Sequence, residues 1–256
     1  MELTADYHTH TPYSHGKNTV LENAVRAKEL GLQAVAITDH GFSHPIFGIR
    51  RRQVPSLVRE CREAERVTGI PVLVGIESNI RGVSGLCDLA PSDYDDFDIY
   101  LAGIHLVIRY EHLSDWKIGY GNWLRKKLGM RPSPSYVRDT TRAFINAVEK
   151  NPIDIITHLC FQCNADVEEV AKCCRDNGTY LEISGKKPHL SDEELALAAA
   201  TGVHFVLDSD AHAVDRIGDV ALALEQVRRV GIPEELIDNV DGRTPAFRFA
   251  AFKGGR

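Results

Sequence analysis

Along the whole chain, short runs of β-branched and other apolar residues alternate with longer stretches whose apolar positions recur every three or four residues. The first pattern fits strands buried on both faces, and the second fits amphipathic helices. Strands are predicted over 3–9, 34–40, 71–78, 98–105, 154–158, 180–184 and 204–210. Helices are predicted near 20–30, 54–68, 136–150, 167–177, 192–201 and 220–230, several closed by Gly31, Gly69, Gly178, Gly202 or Gly231. Glycine just past a last turn takes the left-handed stop that other residues resist. Ser191, three residues before Glu194, has the pattern of a capping box.

A βαβα order implies a parallel sheet covered by helices, and seven or eight such units close most economically into a barrel. An open doubly wound sheet is the rival. It loses support because neither G-x-G-x-x-G nor G-x-x-x-x-G-K-[ST] follows the first strand. Two turn-rich insertions break the rhythm, 81–96 and 109–134, the second carrying Trp116, Trp123 and Arg125-Lys126-Lys127. Both follow strand ends, where a barrel places its active site; the alternatives for the second are a solvated loop or a contact with another subunit of a homo-oligomer. A single domain over 1–256 is expected.

Composition narrows this picture. Apolar residues at 43% suffice for a core, and a net charge of −6 disfavours broad capture of nucleic acid. The first residues lack the basic start and apolar core of a signal peptide, and no run reaches the length of a membrane span, so a cytoplasmic protein is expected. Six cysteines are too sparse for a disulfide scaffold. Cys160 and Cys163 have the spacing of half a zinc site, but the adjacent Cys173 and Cys174 would chelate poorly as the other half, so buried thiols are expected.

The polar residues able to bind metal fall at the C-terminal ends of the strands: His8 and His10 on the first, His40, Glu77, His105 and His158 on the next four, Asp210 and His212 on the seventh. Strand side chains alternate, so His8-x-His10 and Asp210-x-His212 each form a chelating arm. Counting His15, seven of the eleven histidines converge on one rim. With two carboxylates, such a set exceeds one ion's needs and calls for two or three, bridged by Glu77 or Asp210. Nitrogen-rich ligands favour Zn, Mn, Fe or Co over Mg or Ca.

His8-Thr9-His10, Ile37-Thr38-Asp39-His40, Gly75-Ile76-Glu77, Ala102-Gly103-Ile104-His105, Ile156-Thr157-His158, Leu181-Glu182-Ile183 and Asp208-Ser209-Asp210-Ala211-His212, taken in order, resemble the successive motifs of the PHP (polymerase and histidinol phosphatase) family. The resemblance implies a distorted (β/α)7 TIM-like barrel, a trinuclear metal site and phosphoester hydrolysis. It also implies that His15 completes nine ligands. His158-Leu159-Cys160 departs from the family's His-Pro-Gly, and Ser184 replaces an asparagine in its Leu-Glu-Ile-Asn; both departures bear on substrate identity.

The expected reaction is attack on phosphorus by a metal-bridging hydroxide, with Glu77, Asp210 and His212 at its centre and a small phosphorylated molecule as substrate. Lys186, Arg216, Arg50 and Arg109 are the candidate phosphate contacts, the first two ahead. His189 is a candidate general acid, with an exposed loop position as the equal alternative. Asp6 and Asp39 are candidates to orient imidazoles, with salt bridges inside the barrel as the alternative. His44, His112 and His204 are set aside as structural or surface residues. Histidinol-phosphate phosphatase, a nuclease-like activity on nucleotide ends and a non-catalytic metal-binding module are the other readings.

Overall fold

Each apolar run forms a strand, and each strand pairs in parallel with the one before it. A computed structural model describes residues 1–255. Strands β1 (Ala5–Asp6), β2 (Ala34–Ile37), β3 (Val72–Asn79), β4 (Ile99–Gly103), β5 (Ile155–Ile156), β6 (Tyr180–Ser184) and β7 (Phe205–Asp208) lie side by side in chain order. A parallel bridge between Thr9 and Ala211 nearly closes the sheet into a barrel, with the His10 N–H donating to the Ala211 carbonyl at 2.8 Å. Asp6 strengthens the seam: its carboxylate accepts from the Ser209 hydroxyl at 2.5 Å and the Gly218 N–H at 2.8 Å.

Helices α1 (Val20–Glu29), α2 (Val54–Thr68), α3 (Tyr120–Lys127), α4 (Pro134–Lys150), α5 (Val167–Asn177), α6 (Asp192–Ala200), α7 (Ala221–Val230) and α8 (Arg248–Gly254) accompany the strands. The capping box at Ser191 and Glu194 is present, and α2, α5 and α7 end on left-handed Gly69, Gly178 and Gly231. Two helices escaped the sequence pattern. The 109–134 insertion, read as a loop, holds a 3-10 turn (Leu113–Ile118) and then α3, which Asn122 ties to α4 through Thr140 Oγ1 at 2.9 Å. The short α8 lies near the C-terminus, its Phe249 fully buried against Tyr94 and Tyr100.

β6 has its predicted bounds and β3 its predicted length, but β1, β2, β4, β5 and β7 are shorter than predicted, with β1 and β5 reduced to two residues each. Beyond their ends, carboxylates take the backbone donors that a ladder would have used: the Tyr7 N–H donates to Asp208 and the His158 N–H to Glu182, each at 2.7 Å.

Two apolar sets follow from the strand alternation. One, including Ile37, Val74, Ile76, Tyr100 and Leu181, meets the helices. The other, Ala5, Tyr7, Ala36, Ile99, Leu101, Ile155, Tyr180 and Val206, fills the lumen, with Phe247 packed beneath it against Tyr7 and Tyr180. Further along β3, β4, β6 and β7, the lumen-facing phase runs from Leu73 to Glu77, Leu101 to His105, Tyr180 to Glu182 and Val206 to Asp210. The lumen therefore changes from apolar to polar along its length.

Candidate metal centre

At the polar end the side chains of His8, His10, His40, Glu77, His105, His158, Asp210 and His212 come together. Glu77 is fully buried at the centre, its Oε1 2.6 Å from His158 Nε2 and 3.1 Å from His105 Nε2, its Oε2 2.7 Å from His40 Nδ1. Asp210 Oδ1 stands 3.3 Å from His10 Nε2 and 3.9 Å from His8 Nε2. Three donor triads here have atoms within 4.8 Å of one another: His10, His40 and His212; His8, His10 and Asp210; His40, Glu77 and His105; a fourth, Glu111, His112 and Asp115, lies apart in the 109–134 insertion. A cavity of about 330 Å³ opens onto the first three, with Lys186 and His189 on its wall.

Alternation delivers only some of these groups. His40, Glu77, His105 and Asp210 continue the lumen-facing phase of their strands, but β1 ends at Asp6 and would turn His8 away if it continued. His158 has φ 32° and Asp210 φ 48°, both in the left-handed region. The chelating arms His8-x-His10 and Asp210-x-His212 thus come from irregular chain beyond the strands, not from strand geometry as the spacing suggested. Such costly backbone persists where its surroundings over-determine it, as at ligand sites.

Supporting groups fix the rings. Glu182 receives the His8 Nδ1 proton at 2.5 Å and the His158 N–H through its other oxygen, so one carboxylate orients two candidate ligands and leaves His8 Nε2 facing the centre. Asn79 acts likewise on His105. Its amide nitrogen donates to Asp88 at 2.6 Å, which leaves its oxygen to accept from His105 Nδ1 at 2.8 Å. Asp88 comes from the 81–96 insertion and also receives the Ser43 N–H, so that segment buttresses the site. Gly103 is required by close approach: a Cβ there would collide with Thr157 Oγ1 and lie 2.8 Å from His158 Cε1.

Electrostatics divide the cluster: burial would lower His8 and His158, but the carboxylates around them, Glu182 and Glu77 above all, raise both, His8 well above its ordinary value. Burial, aided by neighbouring imidazoles, pushes His40 down to about 3 and His10 well below its ordinary value, and His212 is lowered too. Neutral imidazoles keep the lone pairs a metal needs. Burial would raise Glu77 and Asp210, but His105 and His8 beside Glu77, and His8, the His10 hydrogen bond and Lys186 beside Asp210, hold both well below the carboxylate range. The fit is also seen in unsatisfied atoms: His40 Nδ1 and Glu77 Oε2, 2.7 Å apart, make no hydrogen bond despite full burial. A cation shared by the two atoms would satisfy both.

His15 reaches the rim but differs from the rest. Its ring stacks on His40 with centroids 4.9 Å apart and lies 4.2 Å from His212, yet it is exposed and belongs to none of the triads. Of the four candidate phosphate contacts only Lys186 lines the cavity, its ammonium 2.9 Å from Asp210 Oδ2. Arg216 is drawn back to Asp219, Arg50 donates to the Pro45 carbonyl, and Arg109 is exposed beyond the cavity wall. Local partners three to five residues away captured the first two.

Neither Asp6 nor Asp39 touches an imidazole directly, although Ser14, which donates to Asp39, stands 3.4 Å from His10 Nδ1. Asp6 closes the barrel seam, and Asp39 holds the loop carrying His15 by accepting from Thr11 and Ser14. His189 lines the cavity rather than an exposed loop; burial and then the neighbouring His158 push it down to about 3, so its ring is neutral. Of the histidines set aside, His204 pairs with Asp238 at the surface and His112 is exposed, whereas His44 is buried with its ring stacked on His40 at 5.6 Å. The cysteines are buried or half-buried thiols, and none joins a metal-ligating group among the described residues. Glu182, Asn79 and Asp88 carried no metal-ligand spacing; the signal for Glu182 was one acidic residue inside a wholly apolar run.

Known proteins share this fold and much of this sequence. A probable phosphatase of Thermoanaerobacter is 30% identical over 259 aligned residues, covering 94% of this chain and 92% of the relative. A probable phosphatase of Vibrio parahaemolyticus is 28% identical over 93% of this chain and 89% of its own length. The fold resembles the crystal structure of histidinol phosphate phosphatase from Lactococcus lactis, solved with Zn, L-histidinol and phosphate: TM-score 0.62, 15% identity, 90% of this chain and 93% of that one. The sequence profile of the PHP domain matches residues 6–226, a span that runs from the end of β1 through β7 and takes in every triad, and the chain belongs to the PHP domain family.

Proposed function

We propose that this chain is a metal-dependent phosphoesterase that hydrolyses a small phosphorylated substrate. It uses two or three divalent ions, Zn, Mn or Fe, held by His8, His10, His15, His40, Glu77, His105, His158, Asp210 and His212. The observation that carries the reading is the overlap of the donor triads, in which His10 and His40 each serve two groups. Overlapping donor sets suit neighbouring ions that share ligands. Relatives named as phosphatases across 94% of the chain support the same reaction class.

When bound, the ions supply a nucleophile at neutral pH and offset charge on the phosphoryl oxygens. The protein's part is positioning. Glu77 directs its two oxygens at different histidines, Oε1 at His105 and His158 and Oε2 at His40, as a bridging carboxylate would. Asp210 divides its oxygens between the histidines and Lys186. Lys186 stands at the mouth with its side chain 48% exposed, so its ammonium can leave Asp210 and meet an entering phosphate. His189 lines the cavity beside the candidate ligands, a position from which a proton donor could reach the leaving oxygen.

The test is metal analysis of the purified chain followed by a screen of phosphorylated metabolites, including histidinol phosphate and nucleotides, with added Mn, Zn or Fe. At least two ions per chain and turnover of a phosphomonoester are expected. Fewer than two ions, or no phosphoester cleaved with any of the metals, would overturn the reading.

A further inference from the structure

Beside the metal-facing cavity lies a second one of about 320 Å³, and Phe161, Lys187 and His189 line both. Its outer wall is α3, which contributes Trp123, Lys126 and Lys127. The two chambers differ in charge. The first holds Glu77 and Asp210; the second has three lysines and no acidic lining residue. Among the described residues Lys126 and Lys187 pair with no carboxylate, and the Lys127 ammonium rests 4.8 Å from the Trp123 ring centroid. Three unneutralised ammoniums beside two aromatic faces attract an anion attached to an apolar or planar body.

The floor between the chambers is the turn after β5, where His158, Cys160 and Gln162 have φ of 32°, 67° and 57°. Left-handed backbone at three alternate non-glycine residues is costly and is characteristic of ligand-binding turns. It sets the Phe161 ring 5.0 Å from both His158 and His189, so a molecule leaving the metal-facing chamber passes along an aromatic wall.

We propose that this annex selects the leaving group: the preferred substrate is a phosphomonoester whose alcohol portion has an apolar or planar body and carries a second anionic group. The phosphate enters the metal-facing chamber, the body packs on Phe161 and Trp123, and the second anion meets Lys126, Lys127 and Lys187. The proposal rests on the phosphoesterase reading and gives the 109–134 insertion the role of a specificity wall.

The matched esters 4-carboxyphenyl phosphate and 4-carbamoylphenyl phosphate differ in the charge of the distal group and little in size. With the metal-loaded chain at low ionic strength, kcat/KM should favour the carboxylate about five- to tenfold, since exposed ammoniums contribute modestly and additively. Lys126→Gln with Lys127→Gln should cut that ratio at least about threefold, as should 0.5 M NaCl. A ratio unmoved by the double substitution overturns the proposal while leaving phosphoester hydrolysis intact. Fluorescence of Trp123, in a Trp116→Phe background, gives an independent readout with the non-hydrolysable 4-carboxybenzyl and 4-carbamoylbenzyl phosphonates. If neither ester is hydrolysed, the metabolite screen decides the phosphoesterase reading and this titration decides the annex. Tighter quenching by the carboxylate supports it, and equal or absent quenching overturns it.

Discussion

The two ends of the barrel lumen are built on the same strands a few residues apart, and they solve opposite problems. At one end Leu73, Leu101, Tyr180 and Val206 exclude water over Phe247; at the other Glu77, His105, Glu182 and Asp210 gather charge and lone pairs. Apolar burial at the closed end stabilises the fold. The open end does the reverse, because buried carboxylates and unsatisfied imidazole nitrogens cost free energy until something binds them. The barrel can hold a destabilising cluster at one end because the other is a plain core.

That contrast can be broken at its polar end first. Asp210→Ala should lower turnover of any phosphomonoester by at least about a thousandfold, the scale on which losing a component of a charge-stabilising site acts. Metal content per chain should fall with it while the far-ultraviolet circular dichroism is unchanged; retained activity would remove Asp210 from the site. Leu101→Ala, in the fully buried lumen, should produce the converse: about 2–5 kcal/mol of lost stability in urea titration, with metal content per folded chain unchanged.

Glu182→Gln probes the boundary between the ends. The amide keeps the volume but loses the charge that holds the His8 proton, so metal affinity should weaken about 10- to 100-fold by competition with a chelator. An unchanged affinity would mean that His8 is held by packing alone.

The last test concerns pH at the closed end. Asp154 accepts N–H bonds from Tyr100 and Phe249, and burial raises its pKa from 3.8 to about 7. Between those values the folded chain keeps a proton that the unfolded chain has released, so this residue's contribution makes stability fall as pH rises from about 4 to about 7. Asp154→Asn should flatten that part of the stability–pH curve, measured by thermal melts at constant ionic strength. A curve parallel to that of the unaltered chain would contradict the assignment.

Much of the closed end was legible in the sequence, because a parallel strand buried on both faces is a local apolar run and a helix stop is a local glycine. The overreach of the strand predictions has a physical cause: His8, Thr9 and His158 look like strand continuations, but their backbone is diverted by Asp208 and Glu182, whose positions no local pattern reveals. Helix α3 was missed since its buried face is only Gly121 and Asn122, and α8 since seven residues carry too few periods to read. At the open end the ligand types and their order were legible, while their supports, Glu182 and the Asp88–Asn79–His105 relay, were not. A hydrogen bond between residues 174 apart leaves no spacing to detect.

The sequence by itself determined the seven-unit alternation, the polar residue closing each strand and, through their combined order, the family. Only the tertiary structure decided which lone pairs face one another, that Lys186 and not Arg216 reaches the cavity, that His15 stays exposed at the rim, and that α3 walls a second chamber. The division is physical. Alternation and capping act over a few residues and are written locally, whereas the meeting of charges is set by barrel closure, which joins residues from opposite ends of the chain.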